Sequence, residues 1–181
     1  MNIEFIPINY QNLMDCAILA DWYNDPELNY LITPNFSPGP MPLTTAESLY
    51  ESNLNPRFEK YSYFIVSDGQ IVGDVSITEH PDFLFDDTHY SAWLGIMIAS
   101  KQHQQKGIGK QTMAFIEDKA YQLGFKRMEL GVFSFNTRAI RFYERLGYRY
   151  IGRIPNFTFY NGAWYDDLRY EKFIYLENKD L

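Results

Sequence analysis

The stretch WLGIMIASKQHQQKGIGKQTM, residues 93–113, decides how the chain is read. An apolar run over 94–99 reads as a strand. A polar link with Lys101, His103 and Lys106 follows, and Gly107-Ile108-Gly109 opens a segment of helical periodicity. A helix that begins on small residues leaves backbone N–H groups pointing outward at the positive end of its dipole, so this junction can hold a phosphate or pyrophosphate. No Asp or Glu occurs from Ile98 to Ile116, although the whole chain carries a net charge of -7. The junction therefore has the opposite charge sign to the molecule around it.

Outward from this stretch, hairpin and cap signals set the rest. A strand is expected over 3–8, a helix over 15–24 stopped by Asn24-Asp25-Pro26, and a proline-rich loop over 31–43 that is a candidate lid. Thr44 or Thr45 caps a second helix. Runs 61–67 and 70–78 flank Asp68-Gly69, a hairpin signal, and a polar loop over 79–88 leads to a strand over 89–99. A helix over 107–123 closes at Gly124. A strand over 127–133, a helix capped by Ser134 or Asn136 and ending at Gly147, and a strand over 148–153 follow. Two last runs, 157–160 and 163–176, flank Asn161-Gly162, and a polar tail covers 177–181. The order predicts a mixed α/β sheet with helices on both faces, in one domain over 1–181.

The 181 residues are long enough for a sizeable core, and 46% hydrophobic content argues against disorder. A pI near 4.9 and the lack of a dense basic run argue against a general nucleic-acid binder. The single Cys16 excludes an internal disulfide and is expected to pack in the first helix. No signal peptide or membrane span is read, so the expected location is cytoplasmic. Two familiar nucleotide loops fail: a dinucleotide fingerprint would need glycine at Thr112, and a triphosphate loop would need Ser or Thr at Gln111.

Gln104-Gln105-Lys106-Gly107-Ile108-Gly109 resembles the acetyl-CoA pyrophosphate motif of the GCN5-related N-acetyltransferase (GNAT) superfamily. GVFSFNTRAIRFYERLGYRYIGR, residues 131–153, is similar to that superfamily's following strand, helix and strand. DWYNDPEL and NGAWYDDLRY look like its ribosomal-protein and polyamine acetyltransferase subgroup. The resemblance implies a twisted, mostly antiparallel sheet with one splayed parallel pair, here the strands over 89–99 and 127–133. It implies that backbone groups of Ile96, Met97 and Ile98 pair with the pantetheine arm and that 105–110 cradle the pyrophosphate. It also implies that Asn136 contacts the cofactor or orders its loop, that Arg138 reaches the nucleotide end, and that Tyr143 protonates the departing thiolate.

The reaction so implied is direct attack of a primary amine on acetyl-CoA in a ternary complex, with no metal. The acceptor is a protein N-terminus, a polyamine or a small amine. Trp22, Tyr30, Phe36 and Tyr160 are expected acceptor-wall residues, or else core. Trp93 stands where many relatives carry an acid, which leaves the base open; Glu79, His80 and His89 are candidates by location alone, as is a water relay. No nucleic acid or membrane partner is expected, while the aromatic C-terminal hairpin is a candidate for homodimer pairing. The alternative reading is a non-catalytic acyl-CoA sensor or interaction module of the same fold.

Overall fold

Asp68 (φ 49°) and Gly69 (φ 80°) adopt the two left-handed conformations that a two-residue type I′ hairpin demands, and Asn161 (φ 47°) and Gly162 (φ 83°) do the same near the C-terminus. These turns fix the registers of two antiparallel pairs, and the rest of the sheet is assembled between them. The computed structural model describes residues 1–87 and 89–174. Its elements are β1 (Ile3–Pro7), α1 (Leu13–Asn24), α2 (Asn29–Ile32), α3 (Ala46–Ser52), β2 (Lys60–Ser67), β3 (Gln70–Glu79) and β4 (Ser91–Ile98). They continue with α4 (Ile108–Gln122), β5 (Arg127–Phe133), α5 (Thr137–Arg145), β6 (Arg149–Tyr160) and β7 (Ala163–Phe173).

The strands form one seven-stranded sheet in the order β1-β2-β3-β4-β5-β7-β6. Every described pairing is antiparallel except β4 with β5. On one face, Ile108, Met113, Ile116 and Ala120 of α4 pack with Val75, Ile77, Leu94, Met128 and Leu130. On the other, Leu19 of α1 packs with Phe64 and Val66. Each such fully buried Leu or Ile contributes about 1.5–3 kcal/mol relative to exposure. Cys16 is buried, as expected.

The parallel pair is short. It registers only Ser91 with Arg127, Ala92 with Met128 and Trp93 with Glu129. β4 then keeps β3 as far as Ile98, while β5 keeps β7 as far as Phe133. The two strands thus part after Trp93, leaving one edge of β4 without a strand partner. The splay expected between them is present.

Elsewhere the boundaries move for identifiable reasons. The runs 148–153 and 157–160 are one strand, β6, because β7 pairs with both; Pro155 and Asn156 (φ 51°) mark the irregularity between Ile154 and Thr158. The strand expected from His89 begins at Ser91, and a short α2 occupies the approach to the proline-rich loop. Asn12 caps α1 from its side chain, so that helix starts two residues before Asp15. Thr45, not Thr44, caps α3, in a reciprocal box with Ser48. Thr88, Tyr175, Leu176 and the tail 177–181 lie outside the described residues.

Candidate active site

A cleft of about 1250 Å³ opens where β4 and β5 part. Ile96, Met97 and Ile98 line it from β4, and Gln104, Gln105, Gly107, Gly109 and Lys110 line it from the turn and the start of α4. The turn is shaped by two left-handed residues, Gln105 (φ 61°) and Gly107 (φ 84°). The two glycines serve different ends. Gly107 supplies the left-handed backbone, with open space where a Cβ would stand; a Cβ on Gly109 would meet the Phe142 ring at 3.2 Å. Lys106 is exposed and outside the cleft lining, and the Ile108 side chain is in the core, 1% exposed. Any role for these two at the cleft is restricted to the backbone for Ile108 and to the mouth for Lys106.

Gln104 joins the two limbs. Its Nε2 donates to the Ile98 carbonyl at 2.8 Å, and its Oε1 accepts from Arg138 Nη1 at 2.9 Å. Asn136 caps α5 by accepting from Ala139 N at 3.2 Å while also lining the cleft, so both expectations for it are compatible. Lys110, Arg138, Arg141 and Arg145 place cations along the same side. Tyr143 lines the cleft from α5, nearly buried, and burial pushes its phenol well above the ordinary range. It is therefore held as a proton carrier.

The four residues expected to wall the acceptor site lie outside the cleft lining. Trp22 packs edge-on against Phe64, under α1. Tyr30 stacks on Tyr160 at 4.5 Å, and both contact Phe135. Phe36 is 68% exposed and meets Phe157 edge-on. None of these four lines the cleft; their neighbours Tyr23, Leu31 and Phe157 do. Each ring instead meets another aromatic ring, edge-on for Trp22 and Phe36 and stacked for Tyr30 and Tyr160. Glu79 accepts from the Tyr90 hydroxyl, His80 packs on Tyr90, and His89 pairs with Asp86. These three candidate bases also lie outside the cleft lining.

Trp93 does line it, edge-on to Phe83 with the Arg169 guanidinium 4.7 Å from its ring. Gly131 makes room for that arrangement: a Cβ there would lie 2.9 Å from the Trp93 ring and 2.6 Å from Asp167 Oδ1. Beneath runs a buried ionic array. Glu129 takes Arg127 at 2.6 Å and Arg169 at 2.9 Å, Glu171 takes Arg127 at 2.6 Å and Arg149 at 2.7 Å, and Arg169 also holds Asp167 at 2.7 Å. Phe85 N donates to Glu129, and the Phe83 and Asp86 carbonyls accept from Arg169 and Arg127, so the array pins the 81–87 loop over the cleft.

Residues missed in the sequence are Tyr23, Asp74, Ser76, Phe83, Asp167 and Arg169, all of which line the cleft. Asp74 is 9% exposed and its Oδ1 is buried without a hydrogen-bond partner. Burial pushes its carboxyl up to about 6, against the downward pull of Lys60. One signal was available: Asp74 is the single acid within the apolar run 71–77.

The sequence pattern of the acetyltransferase (GNAT) family matches residues 19–148. The chain belongs to that family. The match takes in the C-terminal half of α1, the parted strands, the glycine turn and α5 with Tyr143, and so most of the cleft lining, while Ile154, Phe157, Asp167 and Arg169 lie beyond it. Among curated relatives, the probable spermine N(1)-acetyltransferase of Bacillus subtilis subsp. natto (strain BEST195) is 32% identical over 88 residues, 48% of this chain and 58% of that one. The chain therefore matches little more than half the length of that relative. Among solved structures, the spermidine N-acetyltransferase from Vibrio cholerae in complex with CoA and spermine superposes with a TM-score of 0.73 at 19% identity, over 95% of each chain. The putative acetyltransferase yncA from Salmonella typhimurium with its cofactor acetyl-CoA gives 0.69 at 20% identity, over 100% of this chain and 98% of that one. At such identities the likeness is one of fold. No helix among the described residues is long and apolar enough to cross a membrane.

Proposed function

We propose that residues 1–181 form a single acetyl-CoA-dependent N-acetyltransferase domain whose acceptor is a polyamine or related primary amine. The observation that carries this reading is the parting of β4 and β5 after Trp93, with a glycine-shaped helix start at one end of the gap and a buried phenol within it.

The residues present fit acetyl-CoA. The edge over Ile96, Met97 and Ile98, which has no strand partner and whose Ile98 carbonyl accepts from Gln104, offers backbone groups to the two amides of a pantetheine arm. The N–H groups of Gly109 and Lys110, in the first turn of α4, have no intrahelical partner and face a pyrophosphate there. Lys110, Arg138, Arg141 and Arg145 supply the cations that the nucleotide phosphates need.

Acetyl-CoA supplies an activated acyl group; the chain supplies alignment, a polarising edge and a proton. Holding amine and thioester together removes much of the entropic barrier, and N–H groups on the β4 edge stabilise the charge that develops on the carbonyl oxygen. Departing CoA is a thiolate whose conjugate acid has a pKa of about 8.5, against about 10 for an ordinary phenol. Tyr143, kept protonated by burial, is the group placed to donate as the C–S bond breaks.

The relatives named for spermine or spermidine, together with the net charge of -7, support a cationic acceptor. The test is thiol release from acetyl-CoA with spermine, spermidine, a peptide with a free N-terminus and an aromatic amine. The reading expects release that depends on the amine and is fastest with the polyamines. Tight binding of acetyl-CoA with no amine-dependent release would leave the sensor reading in its place.

A further inference from the structure

Asp74 lies in mid-β3, opposite Met97 of β4 in the sheet register, so it neighbours the edge assigned to the pantetheine arm. A buried carboxylate without a partner is costly, and the other three buried acidic residues described, Glu129, Asp167 and Glu171, each hold an arginine. Asp74 holds none, and its Oδ1 is buried and unbonded in a residue that lines the cleft.

Few other groups there can take a proton. Trp93, Gly95, Met97, Phe83 and Gly131 carry no acceptor for one. Asp167 is tied to Arg169, and His103 sits in the turn at the cofactor end, bonded to Ser100 Oγ at 2.8 Å.

We propose that Asp74 is the carboxylate that receives the acceptor's ammonium group and takes a proton from it. This rests on the acetyltransferase reading above. With its carboxyl raised to about 6, Asp74 is ionised at neutral pH yet a stronger base than an exposed aspartate. The titratable and charged groups around it are Tyr23 of α1 and Lys60 of β2, with Asp167 and Arg169 of β7 and Tyr143 of α5 lining the same cleft.

Asp74 takes one proton from the ammonium group, and the freed nitrogen lone pair forms the N–C bond. The C–S bond breaks and the sulfur takes the Tyr143 proton. The amide nitrogen gives up its second proton, which restores the phenol, and Asp74 releases the first to water.

The experiment compares the unmodified protein with Asp74→Asn, and with Asp74→Ser as a second variant, after thermal unfolding has shown each to be folded. Calorimetry gives the affinity for CoA and then for spermidine on the CoA-loaded protein; thiol release gives kcat/KM against pH. The proposal expects CoA affinity unchanged and spermidine binding weaker by at least about tenfold. It also expects kcat/KM to fall about 100-fold and the rise in kcat/KM near pH 6 to disappear. Turnover within about threefold of the unmodified protein, or unchanged spermidine binding, would overturn it. If the unmodified protein binds spermidine but releases no thiol, the acetyltransferase reading fails and the binding comparison still decides for or against Asp74. If it binds no amine at all, Asp74 has no such role.

Discussion

Two sets of carboxylates are buried on one face of this sheet, and they are treated in opposite ways. The register carries Asp74 across to Met97, and alternation along β4 leads to Trp93, which stands beside Glu129; Glu129 in turn pairs with Glu171. Glu129, Glu171 and Asp167 are saturated by Arg127, Arg149 and Arg169, whereas Asp74 lines the cleft with its buried Oδ1 unbonded. A saturated array holds strands and a loop in register and has nothing to give a substrate. A carboxylate left unpaired at a cavity wall keeps its interaction energy for something that enters.

The sharpest way to break this contrast is to remove a member of the array. Glu129→Ala removes the partner that Arg127 and Arg169 share, leaving Arg127 to Glu171 and Arg169 to Asp167, and should cost about 3 kcal/mol in denaturant unfolding. A loss below about 1 kcal/mol would mean that the array is not structural. Next is Tyr143→Phe, which keeps the ring and loses the proton. kcat should fall about 100-fold, near 2.7 kcal/mol, with acetyl-CoA affinity unchanged; an unaltered rate and pH profile would remove Tyr143 from the chemistry.

Asp74→Asn should act on stability in the reverse direction to Glu129→Ala. The folded carboxyl is raised from 3.8 to about 6, so the folded state binds more protons between those values and Asp74 lowers stability as pH rises through them. The variant should therefore melt no lower than the unmodified protein at pH 7.5, with any advantage fading between about pH 6 and pH 4. Gly107→Ala meets no neighbour, so only its left-handed φ is penalised, by about 1–2 kcal/mol, to be read as weaker CoA binding or a lower melting temperature. The smallest effect belongs to the exposed pair Arg57 with Asp82: Asp82→Asn should change stability by less than about 1 kcal/mol.

The same contrast marks what the sequence made legible. The limb proposed to hold the cofactor is contiguous: β4, the turn and the start of α4 span one short stretch, and β5 with α5 another, so glycine positions and hydrophobic periods could be read directly. The opposite limb, proposed for the acceptor, is assembled from α1, β3, the 81–87 loop and β7, elements distant in sequence. Nothing local in Trp22, Tyr30 or Tyr160 says that each ring will meet another aromatic ring, while Tyr23, next to one of them, lines the cleft. Arg169 and Glu129 likewise read as ordinary strand charges until the β5–β7 register brings their elements together. The merger of two short runs into β6 follows from the same cause, a partner strand that bridges a bulge.

A structure of the protein crystallised with CoA and spermidine tests the central claim most directly. The account predicts the pantetheine arm in the gap beyond Trp93, its amides on the Ile96–Ile98 edge, its pyrophosphate at the start of α4, and its sulfur near the Tyr143 hydroxyl with an amine of spermidine against Asp74. CoA bound elsewhere, or a pantetheine arm that leaves the gap between β4 and β5 empty, would contradict it.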